Sequence, residues 1–402
     1  MAPEPRGSGM MRASDRRMGD LLRMVDQAPV DAVPSVVREA LAPAGVAHAV
    51  LYLIDYNGTY LRPAPGSPST NGEPAKARDL EGAAGACFRE QRLIDDAERG
   101  RVWVPVAERA NALGVLEVVF DREPDDTARE LCRDAGLLLG HCLVTARKYT
   151  DVYELLRRRR DMNLAAEMHW DLLPATCYSG PSVTVAAALE PAYEVGGDAF
   201  DYCLNAGVLD FTIMDAMGHG LRAALLSVQA VTAYRFARRR QQSVEEICAT
   251  VDRALRRQFG GRRFVTALFC KLDVETGRLR WVNAGHVSPL LVRDGRAEEL
   301  DRTGPACPLG IDLLDETEDS EVSLRPGDRL LLYSDGVVEA RDPRGASFEL
   351  QRLVELVEKA PADVEAEELS QRLIHEVMRH SGGPLRDDAT VLVVEQRTAG
   401  SR

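Results

Sequence analysis

Two aspartates set in glycine-rich turns stand at the centre of this sequence. The stretch Tyr193-Glu194-Val195-Gly196-Gly197-Asp198 runs into Ala199-Phe200-Asp201-Tyr202, and a short apolar strand, Phe211-Thr212-Ile213-Met214, closes in Asp215-Ala216-Met217-Gly218-His219-Gly220. Ionised Asp offers the hard oxygen ligands that Mg²⁺ and Mn²⁺ select, and glycine lets a backbone approach a bound ion closely. Taken one at a time, Gly-Gly-Asp and Gly-His-Gly are ordinary turn chemistry. Three more apolar runs end in the same way, however: Trp281-Val282-Asn283-Ala284-Gly285-His286, Leu330-Leu331-Leu332-Tyr333-Ser334-Asp335-Gly336, and Arg386-Asp387-Asp388-Ala389-Thr390 leading into Val391-Leu392-Val393-Val394. An ionised carboxylate beside a buried strand is costly unless it is paired or bound to a cation. Several strands sharing that arrangement predict one convergent acidic pocket.

The elements that must position these residues read as hairpins. Strands are expected over Phe264–Asp273, Arg278–Asn283, Pro289–Arg293, Arg329–Tyr333 and Asp388–Glu395, joined by turns such as Glu275-Thr276-Gly277 and Asp294-Gly295. Consecutive hairpins imply antiparallel sheet rather than a strand–helix–strand alternation. Two helical pairs accompany them. One helix follows Gly220 through Leu221, Ala224, Leu225, Val228, Val231 and Tyr234, and the next opens at Ser243 with Glu246 three residues on, a capping box. Residues Leu350–Glu358 and Val364–His380 form the second pair.

Together these motifs resemble the metal-dependent PPM-type serine/threonine protein phosphatases, in their bacterial SpoIIE-like branch. The resemblance covers residues 172 to 396 and follows the family's motif order: Gly-Gly-Asp, Asp-x-x-Gly-His-Gly, Asn-Ala-Gly-His, Ser-Asp-Gly and Asp-Asp-x-Thr. It implies an α-β-β-α sandwich of two antiparallel sheets flanked by helices, with two Mn²⁺ or Mg²⁺ ions at one end. By resemblance Asp215 bridges both ions, the Ala216 carbonyl and Asp198 serve the first, and Asp335 with Asp387 serve the second; Asp388 is the alternative to Asp387. Two such ions lower the pKa of a water and stabilise phosphate oxygens, so no protein nucleophile is needed. Ser334 and Thr390, which lack Gly-x-Ser-x-Gly or Ser-x-x-Lys surroundings, are read as hydrogen-bonding neighbours of the ligands. The family's suspected proton donor lies two residues after the bridging Asp, where this chain has Met217. His219 is therefore left as either a proton donor or a brace of its own loop. The branch dephosphorylates anti-sigma-factor antagonists, so a phosphorylated partner of that type is the implied substrate. The alternative is a catalytically silent scaffold of the same fold; the presence of Asp198, Asp215, Asp335 and Asp387 argues for the enzyme.

The rest of the 402-residue chain divides into segments. Residues 1–17 and 397–402 are expected to be disordered, and 18–145 to form a small sensor domain. Helical spacing in Leu21-Leu22-Met24-Val25 and Val36-Val37-Ala40-Leu41 precedes a strand, Ala49–Ile54, that turns at Tyr56-Asn57-Gly58. A Pro63–Glu73 loop and strands Val102–Val106 and Leu113–Phe120 follow. This pattern resembles a GAF-type sensory domain, with a plain α+β interaction module as the alternative. One helix is then expected to run unbroken from Asp125 to Pro174, its part over 146–173 being a linker and possible coiled coil that makes the protein a homodimer through Val152, Leu155, Leu156, Leu164 and Met168. Arg157–Arg160 would sit on its solvated face. Residues 174–396 complete the phosphatase-like domain.

A net charge of −13 argues against a nucleic-acid partner, whose phosphates demand a basic face. The first residues lack the apolar core of a secretory signal, and no apolar run approaches membrane-spanning length. The eight cysteines show no Cys-x-x-Cys pair, as suits reduced, mostly buried thiols. A cytoplasmic protein without a membrane anchor is expected.

Overall fold

The computed structural model of the chain describes residues 13–65, 75–96, 99–190, 196–300, 307–311, 318–383 and 385–397. Most of the expected disordered ends, the greater part of the Pro63–Glu73 loop, and Tyr193–Val195 lie outside these residues. At the edges of the ends expected to be disordered, residues 13–17 lie in the first helix, and Arg397 donates its backbone N–H to Ser182 O at 2.9 Å and its guanidinium to Ser179 Oγ at 2.7 Å. Two compact units divide the chain, Met1–Arg159 and Arg160–Arg402.

In the first unit, α1 (Ala13–Gln27) and α2 (Val33–Leu41) precede β1 (Val46–Ile54), β2 (Tyr60–Pro63), β3 (Arg78–Asp79), α3 (Gly82–Glu90), β4 (Ile94–Asp96), β5 (Arg101–Glu108), β6 (Asn111–Phe120), α4 (Asp126–Ala146) and α5 (Val152–Arg157). The strands make one antiparallel sheet in the order β3-β2-β1-β6-β5-β4. Strand alternation sends Leu51, Leu53, Val104 and Val118 to α2 and α4, where they meet Val37, Leu41, Leu131 and Leu139. Tyr52, Trp103 and Val115 point the other way, into Cys87 and Phe88 of α3. The hairpin signalled by Asn57-Gly58 forms, and buried Asp55 closes it by accepting the Thr59 and Tyr60 N–H groups at 2.7 and 3.0 Å.

The single helix expected from Asp125 to Pro174 is three helices. After α4 and α5 the chain turns extended at Arg158, and a new helix, α6 (Leu164–Leu172), starts with Asn163 capping Ala166 N at 2.8 Å. The reason lies in Arg157 and Arg159, which bind the first unit, although Arg159 and Arg160 remain exposed as expected. Arg157 Nε donates to Ile54 O at 3.0 Å and its guanidinium covers the Tyr56 ring at 4.5 Å, while Arg159 lies over Tyr60 at 4.7 Å and 3.8 Å from Asp55. Satisfying the carbonyls and carboxylate of the β1–β2 hairpin outweighs continuing the helix, a tertiary override of local propensity. Tyr153 of α5 joins the first unit's core, whereas α6 packs on the second unit. The continuous helix expected for that seam is therefore broken, and Leu155 and Leu164 of its stripe are exposed.

The second unit contains α6, β7 (Cys177–Ser179), β8 (Val183–Glu190), β9 (Ala199–Asn205), β10 (Val208–Ala216), α7 (Leu221–Arg239), α8 (Val244–Phe259), β11 (Val265–Asp273), β12 (Arg278–Ala284), β13 (Leu290–Arg293), β14 (Arg296–Glu299), β15 (Ser320–Ser323), β16 (Arg329–Tyr333), α9 (Asp335–Val338), α10 (Leu350–Glu358), α11 (Ala366–Ser381) and β17 (Ala389–Gln396). They build two antiparallel sheets, β15-β12-β11-β10-β9 and β14-β13-β16-β17-β8-β7. Phe200, Phe211, Leu268, Leu332 and Leu392 fill the layer between the sheets. On the outer face of the first sheet Met214, Val265 and Phe269 meet Tyr234 of α7 and Val251 of α8; α11 covers β8 and β17 of the second. This is the expected α-β-β-α sandwich. Helix α8 starts at the expected capping box, Ser243 and Glu246 satisfying each other's backbone N–H groups. All eight cysteines are free, five of them buried.

Candidate metal centre

Strand pairing brings the motif residues to one end of both sheets. Met214 pairs with Ala199, so Asp215 at the end of β10 stands beside Asp198 just before β9. In the other sheet Tyr333 pairs with Val391, which leaves Asp335 after β16 next to Asp387 and Asp388 before β17. The turns need glycine because the backbones run close together. A Cβ on Gly197 would lie 2.1 Å from the Ala216 carbonyl oxygen, and one on Gly336 would lie 1.9 Å from that of Asp388.

The adjacent carboxylates 387 and 388 have different surroundings. Asp388 is buried, and its carboxylate accepts the Gly196 N–H at 2.6 and 2.8 Å and the Asp198 N–H at 3.2 Å, tying the Gly-Gly-Asp turn of one sheet to the start of β17 in the other. Asp387 is exposed; its Oδ1 accepts only the Asp388 N–H, at 3.0 Å. Ser334, fully buried, donates to Asp388 O at 3.3 Å and accepts from Thr390 N at 3.0 Å. It fastens the backbone beneath these carboxylates.

The electrostatics are those of a site that lacks a counter-charge. Burial, then the charges of Asp215 and Asp388, hold the Asp198 pKa well above the carboxylate range. Burial, then Asp335, Asp387 and Asp388, push Asp215 up to about 7. Burial, followed by Asp387, raises Asp335 as well. Asp388 reaches about 7 through burial, although the backbone N–H groups it accepts pull the other way. Asp198 Oδ2 is buried with no hydrogen-bond partner, a costly arrangement unless something cationic meets it. Among the described residues no three His, Cys, Asp or Glu side chains are grouped closely enough to hold an ion on their own. A divalent cation here would therefore draw on the Ala216 carbonyl and on water as well as carboxylates, as Mg²⁺ commonly does. The orphaned Asp198 oxygen and the hard-oxygen donor set fit such ions.

The two motif histidines differ. His286 is buried and braces the site: Nε2 donates to the Tyr333 carbonyl at 3.1 Å, so Nδ1 accepts from Thr266 Oγ1 at 2.9 Å, and its backbone exchanges hydrogen bonds with the Asn283 side chain. Burial lowers its pKa to about 4, keeping the ring neutral. Nothing in the sequence marked Thr266 or Tyr333 as its partners, because they come from β11 and β16. His219 is exposed between Gly218 (φ +90°) and Gly220 (φ +69°) and hydrogen-bonds to none of the described residues. It does not brace its loop through a hydrogen bond.

An α-β-β-α sandwich whose paired antiparallel sheets present carboxylates at one end is the architecture of the PPM, or PP2C-type, phosphatase domains. The PP2C domain of SiaA from Pseudomonas aeruginosa shares it: 23% identity over 57% of this chain and 94% of that one, with a TM-score of 0.50. Residues 205–397, just under half of the chain, match the family described as Stage II sporulation protein E (SpoIIE). The chain is 26% identical over 246 residues to the phosphoserine phosphatase RsbP of Bacillus subtilis, covering 60% of this chain and 59% of RsbP. It is 20% identical over 285 residues to the phosphoserine phosphatase RsbU of the same organism, covering 70% of this chain and 84% of RsbU. The chain thus spans about three fifths of RsbP. Among the described residues no helix is long and apolar enough to cross a membrane.

Proposed function

We propose that the second unit is a Mn²⁺- or Mg²⁺-dependent phosphatase that hydrolyses phosphoserine or phosphothreonine on a partner protein. The observation that carries this reading is the convergence of Asp198, Asp215, Asp335 and Asp387 on one end of the sandwich, with a buried carboxylate oxygen of Asp198 unpartnered. Asp215, Asp198 and the Ala216 carbonyl would hold one ion, with Asp215 shared to a second held by Asp335 and Asp387. Asp388 serves better as the brace of the Gly-Gly-Asp turn, since its carboxylate already accepts backbone N–H groups. When bound, the ions supply Lewis acidity to a water nucleophile and to the phosphoryl oxygens. The chain's part is to fix the carboxylate spacing through His286, Ser334 and Asp388. Exposed His219 is left to meet the leaving group or solvent.

The resemblance to the SpoIIE-like branch supports a substrate of the anti-sigma-factor-antagonist type, and the helix-flanked antiparallel sheet of the first unit supports a GAF-like sensor that regulates turnover. A direct test incubates the full chain with a phosphoserine peptide and Mn²⁺. Asp215→Asn is expected to lower kcat by a factor of about 10³ or more with the fold retained, because two ions lose a shared ligand. Equal turnover by that variant, or by the wild type in excess EDTA, sinks the two-ion reading, whereas no turnover by the wild type in Mn²⁺ favours a silent scaffold. A fragment starting at Arg160 that matches the full chain at every Mn²⁺ concentration removes the sensor role.

A further inference from the structure

Beside the carboxylates lies a cleft of about 550 Å³ that the hydrolytic chemistry does not use. Asp335 and Asp387 form part of its rim, and three arginines line it: Arg341 and Arg344 on the hairpin after α9, and Arg386 on the segment after α11. The hairpin is built rather than loose. Asp342 Oδ1 accepts the Arg344 and Ala346 N–H groups at 2.8 Å each, Arg341 bridges to Ser347, and His380 of α11 holds Ala346 O through Nε2 at 3.0 Å while its ring meets Phe348 edge-on at 5.4 Å. Gly382 lies against Pro343, so the two segments meet beneath the cleft.

None of the three guanidinium groups has a carboxylate partner among the described residues. Among the described residues Arg341 donates only to the Gly345 carbonyl, at 3.1 Å, and the Arg344 and Arg386 side chains make no hydrogen bond. Acidic residues outnumber basic ones in this chain, 63 to 50, yet no described carboxylate pairs with these three. The acids that share the cleft do not answer them: Asp342 is committed to backbone donors, and Asp335 and Asp387 face the ion site in the reading above. Glu339 alone remains. The volume is within the range of sites that take several side chains or a small ligand, too large for a phosphoryl group alone.

We propose that this cleft binds an acidic segment of the protein substrate flanking the phosphorylated residue, its Asp or Glu carboxylates meeting Arg341, Arg344 and Arg386. The inference rests on the phosphatase reading for the position of the phosphoryl group, and it names the substrate class: phosphoserine or phosphothreonine with acidic neighbours. Exposed Arg–carboxylate pairs are individually weak, and three acting together give selectivity more than tight affinity.

The test uses the full chain and two labelled phosphoserine peptides of equal length, one flanked by Glu and one by Lys. Binding is read by fluorescence anisotropy in Mn²⁺ and turnover by phosphate release. The Glu-flanked peptide is expected to bind about tenfold more tightly at low salt, the advantage shrinking as salt is raised. Arg344→Glu with Arg386→Glu should reverse the order of the two peptides through KM, with kcat for each within about threefold. Arg372→Glu, on the outer face of α11 away from the cleft, should leave the order unchanged. Equal binding of both peptides by the wild type, or an order indifferent to the double substitution, overturns the proposal. Hydrolysis of p-nitrophenyl phosphate separates the two ideas. A wild type that hydrolyses it but binds both peptides alike refutes the cleft alone, and one that hydrolyses no ester refutes the phosphatase reading while anisotropy still decides the cleft.

Discussion

At the scale of single residues, neighbouring side chains of one type carry different tasks. Asp387 and Asp388 are adjacent in sequence, yet one is exposed and the other accepts three backbone hydrogen bonds from the opposite sheet. Asp388→Ala should therefore cost about 2–3 kcal/mol of stability, since it strands buried N–H groups, and should lower the unfolding midpoint with or without Mn²⁺. Asp387→Ala should leave the ion-free midpoint within about 0.5 kcal/mol and reduce only the stabilisation that Mn²⁺ adds. Urea melts at several Mn²⁺ concentrations distinguish them, and matching behaviour of the two variants contradicts the division. The sequence could not rank the pair, because the donors to Asp388 lie about 190 residues away.

His169 is a second case that sequence left blank. It is fully buried on α6 with neither ring nitrogen hydrogen-bonded, and burial lowers its pKa to about 4. An unfolded histidine titrates near ~6.5, so between those values the unfolded chain binds the extra proton. The contribution is fully present above pH ~6.5 and is lost as pH falls towards 4, up to about 3 kcal/mol. His169→Leu should flatten the acid limb of a stability–pH curve measured by urea unfolding. An unchanged limb between pH 5 and 7 would show that the ring is not held neutral.

At the scale of elements, signals confined to a few residues were legible, and signals that depend on distant partners were not. The Ser243–Glu246 box marks α8 because its hydrogen bonds close within one turn. The Asn57-Gly58 hairpin and the strands ending at the motif aspartates are of the same local kind. The Asp125–Pro174 helix was misjudged because its apolar spacing and lack of proline say nothing of the hairpin that Arg157 and Arg159 bind. Strand β8 escaped notice for a similar reason: its Ala186-Ala187-Ala188 core has weak strand propensity, and only flanking β17 and β7 make it a strand. Arg157→Ala, which removes a hydrogen bond to Ile54 O and a cation–π contact with Tyr56, should destabilise the first unit by about 1–2 kcal/mol. Hydrogen exchange at β1 and β2 would report it; equal protection in the variant and wild type would return Arg157 to the role of a solvated charge.

At the scale of the whole molecule, antiparallel sheet was legible from the order of hairpins and the sandwich followed from the motif resemblance, whereas the sheet orders that bring residues 198, 215, 335 and 387 together were not legible, since they are set by contacts across the entire domain. Each sheet owns half of the carboxylates, so the layer of Phe200, Phe211, Leu332 and Leu392 between them sets the spacing. Phe211→Leu should weaken Mn²⁺ binding about threefold to tenfold by calorimetry, because small misplacements at such sites are costly. Val251→Ala, in the helix–sheet core instead, should lower stability by a comparable ~1–3 kcal/mol and leave Mn²⁺ affinity unchanged. Equal losses of affinity in both would show that the ions sense general loosening only.

The hydrogen bonds from Gly196 and Asp198 to Asp388 join the two sheets directly at the end where the carboxylates face each other. The domain thus works as a calliper: its jaws are the two strand ends, its gap is graduated in ångströms of sheet sliding, and the Asp388 carboxylate is the screw that sets it. A binding event on either sheet that moved one past the other would be read out as a change in cation affinity, without any residue of the site being touched.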